Sequence, residues 1–294
     1  MSDVEHFLHV GNTIGEGPIW DARDQSLYWV NFIGKSEIWQ FSPETGQLRV
    51  FETAVPVMAL GLRRAGGFIA AATGGISVWT PESNRIKPFC NPIAGCSSVR
   101  FNDGGTDPGG RFWIGTMNNV EPGKPDGELF CIQDATSVRR EENGIATSNG
   151  VGWSPDRKSM YLTDTFRRTI SVYDFDMSSG HIRNRRLFAE IPEAVGFPDG
   201  LAVDQDGFVW SAIWGGFRVL RFDPRGEVER ELRVPAPNPT SCCFGGPGLR
   251  HLYITTARLG ISEEELSKFP LSGDLFRYEG DMCGLPEPEF TGQA

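Results

Sequence analysis

The stretch Phe197-Pro198-Asp199-Gly200 continues into Leu201-Ala202-Val203-Asp204-Gln205-Asp206-Gly207, so that a polar side chain beside a glycine opens a short apolar strand that ends in a turn. Three other segments have the same form, and they begin with Gly15-Glu16-Gly17-Pro18, Phe101-Asn102-Asp103-Gly104 and Ser148-Asn149-Gly150. We interpret these segments as equivalent positions in successive structural repeats, because self-similarity at a fixed spacing is typical of repeat architectures.

The repeat is clearest in the apolar strand that follows each segment. Its copies begin at Leu27, Phe68, Phe112, Met160, Phe208 and Leu252. The steps between these starts are 41, 44, 48, 48 and 44 residues. A period of roughly 40–50 residues indicates propeller blades of four strands each. The sequence therefore predicts an all-β fold, a six-bladed β-propeller that forms a single domain over residues 1–294.

The two ends of the chain suggest how the ring closes. The last blade has no convincing fourth strand, whereas the spare apolar stretch His6–Val10 precedes the first blade. We expect this stretch to pair with the last blade, since the pairing removes an exposed sheet edge. Ser262–Ser267 departs from the β pattern, and its serine with a glutamate three residues later predicts a short helical turn inserted in the sixth blade. Two packed β domains are the alternative, but no linker interrupts the repeat.

The first strand of each propeller blade lines the central channel, so equivalent positions on these strands face one axis. The positions about ten residues before the second strands are Glu16, Met58, Asn102, Asn149, Asp199 and Ser241 or Cys242. Four of these side chains offer oxygen ligands, a set that suits a hard divalent cation. Each residue alone is more typical of a turn, but four in register indicate a site.

Arg100 is expected on the channel face, because residues two apart in a strand point the same way and Arg100 precedes Asn102 by two. It would hydrogen-bond substrate oxygens or form a salt bridge at the channel mouth. No Gly-x-Ser-x-Gly motif occurs and the four histidines fall outside the axial positions, which disfavours Ser/His/Asp catalysis.

The overall charge limits the classes of partner. A formal charge of −10 and a pI near 5.0 argue against a nucleic-acid surface, which needs clustered Lys and Arg. No apolar run is long enough to span a bilayer and no export signal precedes the first blade. Six cysteines without metal-site spacing suit the cytoplasm. We expect a cytoplasmic protein, a monomer or weak homo-oligomer, with no nucleic-acid or membrane partner.

Five motifs follow one another along the chain: Gly15-Glu16-Gly17-Pro18, Arg100-Phe101-Asn102-Asp103-Gly104, Gly115-Thr116-Met117, Ser148-Asn149-Gly150 and Pro198-Asp199-Gly200. In this order they resemble the motifs of the gluconolactonase family, which includes senescence marker protein (regucalcin) and luciferin-regenerating enzyme. The later segments Trp214–Phe217, Cys243–Gly246 and Thr255–Arg258 resemble the bacterial sugar-lactonase branch of that family, which includes xylonolactonase.

The resemblance implies a six-bladed propeller with one divalent metal held by Glu16, Asn149 and Asp199, and it makes Asp199 the catalytic acid/base. It also implies that Asn102 lies beside the metal and that Arg100 contacts substrate. Family members place a glutamate shortly after Gly-Thr-Met against substrate hydroxyls. Glu121 corresponds to it here, with Asn118 or Asn119 as alternatives.

The expected reaction is divalent-metal-dependent hydrolysis of a sugar-derived aldonolactone to the aldonic acid. The metal would polarise the lactone carbonyl and Asp199 would act as general base. The substrate is of the glucono, xylono or arabinono type, including a variant with an anionic 6-substituent, and the metal is Ca, Mg, Mn, Zn or Fe(II). The alternatives are a non-catalytic calcium-binding propeller scaffold and a propeller hydrolase of another ester or an organophosphate.

Overall fold

A computed structural model describes residues 4–293, and residues 1–3 and 294 of the predicted domain lie outside the described residues. The strands, in chain order, are β1 (Val4–Leu8), β2 (Gly15–Asp21), β3 (Ser26–Asn31), β4 (Glu37–Ser42), β5 (Gln47–Glu52), β6 (Val57–Leu62), β7 (Phe68–Ala72), β8 (Gly75–Trp79), β9 (Lys87–Cys90), β10 (Val99–Thr106), β11 (Phe112–Asn118) and β12 (Gly127–Ile132). They continue with β13 (Val138–Ile145), β14 (Ser148–Trp153), β15 (Ser159–Asp164), β16 (Thr169–Phe175), β17 (Ile182–Glu190), β18 (Phe197–Val203), β19 (Val209–Trp214), β20 (Arg218–Phe222), β21 (Val228–Arg233), β22 (Pro239–Gly245), β23 (His251–Thr256) and β24 (Leu275–Glu279).

The strands form six antiparallel sheets of four strands each, which confirms the predicted six-bladed propeller. Five blades use consecutive strands, from β2–β5 through β18–β21, and the sixth has the order β22-β23-β24-β1. The predicted second strands are β3, β7, β11, β15, β19 and β23, and each begins within one residue of its expected start. The regular spacing of the apolar strands in the sequence therefore located the blades correctly.

The N-terminal strand closes the ring, as predicted, by pairing with the last strand of the sixth blade. The strand runs over Val4–Leu8, two residues earlier than the expected His6–Val10. It ends before Val10 because the backbone N–H of that residue donates to the carboxylate of Asp274 at 2.9 Å. Ring closure therefore involves a side-chain contact as well as the sheet ladder.

The predicted helical turn in the sixth blade is also confirmed. Helix α1 (Glu263–Lys268) lies between β23 and β24, and Ser262 and Glu265 form a reciprocal capping box at its start. The capping box satisfies two backbone N–H groups that the first turn would otherwise leave unpaired. In the described part of the chain, no helix is long and apolar enough to cross a membrane.

The core lies between the blades and is built from the middle strands. Every residue of β3, β7 and β11 is buried, whereas the outer strands β5 and β17 are mostly exposed. Each blade buries both faces of its middle strands against its neighbours, so these strands are apolar throughout rather than alternating. Trp29, Trp79, Trp113 and Trp210 are among the largest fully buried side chains.

The inner strands β2, β6, β10, β14, β18 and β22 contact one another around the channel. In each of them the pairing with the second strand slips once, over residues 16–19, 57–59, 101–104, 148–151, 198–201 and 239–241. Such a slip is a β-bulge, which bends a strand and re-aims its side chains. The four predicted oxygen ligands lie at these bulges, inside strands and not in turns.

Glycines after the axial residues allow the inner strands to pack closely. A Cβ at Gly150 would overlap the backbone of Leu201 on the next inner strand, and one at Gly200 would overlap Ser241. In the sixth blade the bulge falls at Thr240, one residue before the expected Ser241 or Cys242. The Thr240 hydroxyl donates to the carbonyl of Gly15 at 2.5 Å, so this blade uses its bulge for packing.

Candidate active site

Three predicted ligands come from three different inner strands and share the channel. Glu16, Asn149 and Asp199 lie on β2, β14 and β18, and all three are buried. The pKa of Glu16 is raised well above its ordinary value, chiefly by burial and then by the negative charges of Asp199 and Asp103. The structure therefore brings these carboxyl groups into one region of low polarity.

Asp199 and Asp103 experience the same environment. Burial raises the pKa of Asp199 well above its ordinary value, and the charge of Asp103 adds to this effect. The side chain of Asn149 and the N–H of Gly200 act in the opposite direction. Burial raises the pKa of Asp103 to about 6, although the N–H of Gly104 donates to its carboxylate at 2.8 Å. Three close carboxyl groups are costly to ionise together unless a cation joins them.

Two oxygen atoms in this group have no hydrogen-bond partner within residues 4–293, namely Asn149 Oδ1 and Asp199 Oδ1. The Asn149 side chain is held in place, because its Nδ2 donates to Thr165 Oγ1 at 3.1 Å. Buried polar atoms are rarely left unpaired in folded proteins. Carboxylate and amide oxygens are the ligands that hard divalent cations prefer, so Glu16, Asn149 and Asp199 fit such an ion.

Arg100 and Asn102 lie beside these residues on β10. Arg100 Nη1 donates to Asn102 Oδ1 at 2.7 Å and to the Phe101 carbonyl at 2.8 Å, so the two side chains share one side of the strand as expected. Asn102 Nδ2 donates to the carbonyl of Ser148 on the next inner strand at 2.9 Å. Burial lowers the pKa of Arg100, while the charge of Glu16 opposes this effect. Arg100 forms no ion pair with any residue that the structure describes.

Glu121 lies in the loop after β11 and, unlike Glu16, Asn149 and Asp199, it is exposed. Its side chain is 69% exposed and lies 3.7 Å from Lys124 Nζ. Asn118 is buried and its amide is engaged within the loop: Nδ2 donates to Asp126 at 2.9 Å, and Oδ1 accepts the N–H groups of Val120 and Glu121. Asn119 is exposed. Of the three residues proposed for substrate hydroxyls, Asn118 uses its amide for hydrogen bonds within the loop, and Glu121 forms a long ion pair there.

Asp103 and Thr165 belong to the site but did not emerge from the sequence as site residues. Strict alternation would turn Asp103 away from Asn102, but the bulge over residues 101–104 brings both to the channel side. The signal was the Asn-Asp-Gly triplet, since glycine often marks a bulge within a strand. Nothing in the sequence around Thr165 indicates its contact with Asn149.

A cavity of about 760 Å3 lies in the channel where the inner strands continue beyond the proposed ligands. Its walls include Asp103, Val151, Leu201, Cys243 and Glu287. Burial raises the pKa of Glu287 to about 7. Asp103 therefore lines this cavity, whereas Glu16, Asn149 and Asp199 do not.

The fold and the site together define a class, namely a six-bladed propeller with buried carboxyl and amide groups in its channel. Residues 14–258 match the family model described as the SMP-30/Gluconolactonase/LRE-like region, and the chain belongs to this family. This finding confirms the resemblance inferred from the five motifs.

The relatives cover nearly the whole chain. The chain is 35% identical over 282 residues to 6-deoxy-6-sulfogluconolactonase of Pseudomonas putida, with 96% of each chain covered. It is 34% identical over 294 residues to regucalcin of Danio rerio, with 98% of each covered. The solved structure of luciferin-regenerating enzyme superimposes with a TM-score of 0.90 at 28% identity, over 98% of this chain and 99% of the other. The solved structure of regucalcin from Agrobacterium tumefaciens, described as a calcium-binding protein, superimposes with a TM-score of 0.91 at 24% identity, over 96% of this chain and 95% of the other.

Proposed function

We propose that this protein hydrolyses a sugar-derived aldonolactone to the aldonic acid and holds a divalent cation with Glu16, Asn149 and Asp199. Its sugar-lactonase relatives indicate a lactone hydrolase, which is a carboxylic ester hydrolase. The observation that carries the metal assignment is the pair of buried, unpartnered oxygens on Asn149 and Asp199. When bound, the cation supplies Lewis acidity toward the lactone carbonyl and offsets the charge of the carboxylates.

Asp199 is the proposed general base, which accepts the proton of the attacking water. Its open Oδ1 has no competing donor in the described chain, and its burial raises its pKa and thus its basicity. The two roles of Asp199 oppose each other, because a carboxylate that binds a cation is a weaker base. Exclusion of bulk water by the surrounding inner strands strengthens every charge interaction in the site.

Arg100 is the proposed contact for substrate oxygens. Among residues 4–293 both of its hydrogen bonds come from Nη1, which leaves Nε and Nη2 to bind a hydroxyl or an anionic substituent. Asn102 holds Arg100 in place and is itself tied to β14 through Ser148. Glu121, on its exposed loop, would accept hydrogen bonds from sugar hydroxyls.

Three of the other arginines already have acidic partners, whereas Arg100 has none among residues 4–293, so we assign an anionic substituent of the lactone to Arg100. Arg167, Arg168 and Arg218 have acidic partners, namely Asp164, Glu193 and Glu231. The Pseudomonas putida relative is named for a sulfonated gluconolactone. A 6-sulfonated lactone therefore belongs among the test substrates beside the neutral glucono-, xylono- and arabinonolactones.

The test is acid release from this set of lactones by protein stripped with EDTA, repeated after addition of Ca, Mg, Mn, Zn or Fe(II). We expect little hydrolysis by the stripped protein and restoration by at least one cation. Glu16→Gln should prevent restoration. Glu287→Gln is the matched control, since it alters another buried carboxyl group that lies outside the proposed ligand set.

Absence of lactone hydrolysis with every cation would overturn the proposal. Calcium binding without turnover would then favour a calcium-binding scaffold, in keeping with the description of the Agrobacterium tumefaciens regucalcin as a calcium-binding protein. Turnover of another ester or an organophosphate would instead point to a different hydrolase.

A further inference from the structure

Three side chains converge at the seam where β1 pairs with β24, which are the two outer strands of the sixth blade. They are His6, His9 and Asp274, and one ligand atom from each lies within 4.8 Å of the others. His6 precedes Asp274 by 268 residues in the sequence, and His9 precedes it by 265 residues. The cluster therefore links the first strand of the chain to the last.

Both imidazoles approach the same carboxylate oxygen. His6 Nε2 lies 2.9 Å and His9 Nδ1 lies 2.8 Å from Asp274 Oδ2. Ligand atoms bound at about 2.0–2.1 Å in a tetrahedron around zinc are about 3.3 Å apart. The two nitrogen–oxygen distances need to open by only about 0.5 Å to reach that geometry.

Asp274 is rigidly placed for this contact. Its side chain is fully buried, and its other oxygen, Oδ1, accepts the backbone N–H groups of Val10 and Gly11 at 2.9 and 2.8 Å. These bonds fix the carboxylate plane and direct Oδ2 toward the imidazoles, as supporting hydrogen bonds do for metal-bound carboxylates. His6 also packs edge-on against Phe276, with 5.7 Å between ring centroids.

The histidines remain open to solvent on the other side. The side chain of His6 is 35% exposed and that of His9 is 69% exposed. Water can therefore reach a metal ion here and complete its coordination. The set of two imidazoles and one carboxylate suits borderline transition metals, unlike the oxygen set of the channel, which suits hard cations.

We propose that His6, His9 and Asp274 form a second metal site, which takes a borderline divalent transition metal such as Zn2+ and fastens the ring seam. Without a metal, His6 Nε2 and His9 Nδ1 each carry the hydrogen that is donated to Asp274, because an ionised carboxylate can only accept. Metal binding requires the other tautomer, with the hydrogen on Nδ1 of His6 and on Nε2 of His9. The ion binds the closed ring in preference to the unfolded chain and so stabilises the fold.

The test uses the full chain without any histidine tag, stripped with EDTA and then supplied with excess CaCl2 to occupy the channel site. Titration with Co2+ should produce a visible ligand-field absorption band that Zn2+ abolishes. Zn2+ should also raise the thermal unfolding midpoint by at least about 2 °C.

The double variant His6→Gln/His9→Gln should bind Co2+ at least tenfold more weakly and lose the stabilisation by Zn2+. Its matched control is His181→Gln/His251→Gln, which removes the other two histidines and should behave as the unmodified protein. The single variant His9→Gln changes the most exposed member of the cluster, so it serves if the double variant folds poorly. Binding is read from absorbance and unfolding, so a failure of lactone hydrolysis leaves this test unaffected.

Two results would overturn the site. The first is an unmodified protein that gives neither the Co2+ band nor the shift with Zn2+. The second is an equal affinity for Co2+ in His6→Gln/His9→Gln and in the control His181→Gln/His251→Gln. Either would mean that the cluster is a hydrogen-bonded seam without metal affinity.

Discussion

Asp199 and Asp204 are two buried aspartates on one segment, the first within β18 and the second at its end, yet their surroundings differ completely. Asp204 Oδ1 accepts the N–H groups of Asp206 and Phe208, each at 3.0 Å. Its Oδ2 accepts from Trp210 Nε1 at 3.0 Å and from Arg221 Nη2 at 2.7 Å. Asp199 keeps Oδ1 without any donor from the described residues.

We interpret this difference as the difference between a structural carboxylate, Asp204, and the proposed catalytic carboxylate, Asp199. The turn N–H groups, the Trp210 indole and the Arg221 guanidinium all donate to Asp204. Asp107 repeats the contact with an indole in the third blade, where Trp113 Nε1 donates to its Oδ2 at 2.8 Å. At Asp199, which lies at a bulge, the Asn149 side chain and the Gly200 N–H lower the pKa, but burial and the charge of Asp103 raise it overall. Its Oδ1 has no donor among residues 4–293. An open buried oxygen of this kind is stable only if something else binds it.

The largest expected effect comes from Asp199→Asn. Loss of the base should lower lactone hydrolysis by about 10^3-fold, the usual scale for a general base. The free energy of unfolding of the cation-free protein should stay the same or rise, because a buried charge among other carboxyl groups is removed. Initial rates and urea unfolding measure the two quantities.

Calcium titration of the same variant separates the two roles of Asp199. Retained binding with lost activity supports the base role, and lost binding supports the ligand role. Full activity in Asp199→Asn would remove Asp199 from the mechanism.

Asp204→Ala should have the opposite profile. It leaves the Trp210 indole, two backbone N–H groups and the Arg221 guanidinium without their acceptor, so the free energy of unfolding should fall by about 3 kcal/mol. The fraction that folds should keep its activity per active site. Urea unfolding checks this, with Asp206→Ala as the control, since that neighbouring side chain is exposed and its loss should cost less than about 0.5 kcal/mol. Equal losses in both variants would contradict the structural role of Asp204.

The regular spacing of the apolar second strands, one every 41–48 residues, was sufficient to predict the blades from sequence. Each blade must bury its middle strands in the same way, so each repeats the same apolar segment. This spacing also located Glu16, Asn102, Asn149 and Asp199 at equivalent positions. Alternation could not predict that Asp103 faces the channel, because a single bulge reverses the side on which a residue lies. Spacing was equally uninformative about the cluster of His6 with Asp274, since ring closure alone brings them together.

The outer strands β9 and β13 were also absent from the sequence prediction. Lys87–Cys90 and Val138–Ile145 are polar and partly exposed, so they show no clear apolar alternation. Their position is fixed by pairing with β8 and β12. Strand edges depend on such tertiary pairing more than on local preference.

A smaller effect is expected on the pH dependence of the free energy of unfolding. It tests whether the buried carboxylates of the channel destabilise the cation-free protein when they are ionised. The folded pKa of Asp103 is about 6, above its ordinary 3.8, and those of Glu16 and Asp199 are also raised. The folded protein therefore holds more protons than the unfolded chain, and stability is present at low pH and lost as pH rises through the folded pKa values. Between about pH 4 and 6, the cation-free protein should lose about 2 kcal/mol through Asp103.

Urea unfolding of EDTA-stripped protein across this range measures the loss. Asp103→Asn should flatten the curve, and saturating Ca2+ should reduce the slope because it stabilises the ionised groups. If the free energy of unfolding of the stripped protein instead rises with pH over this range, burial does not raise the pKa values of these carboxyl groups.

The smallest effect should come from the contact that orients Asn149. Thr165→Val removes the acceptor of the Asn149 amide N–H, so Oδ1 loses its fixed direction and the affinity for Ca2+ should fall by about threefold to tenfold, or roughly 1 kcal/mol. Calorimetric titration measures the affinity. Thr163→Val is the matched control, because the Thr163 hydroxyl lies nearby in sequence, is buried and has no hydrogen-bond partner among residues 4–293. If both variants bind Ca2+ as tightly as the unmodified protein, the direction of the Asn149 carbonyl is set by the bulge alone and not by its side-chain contact.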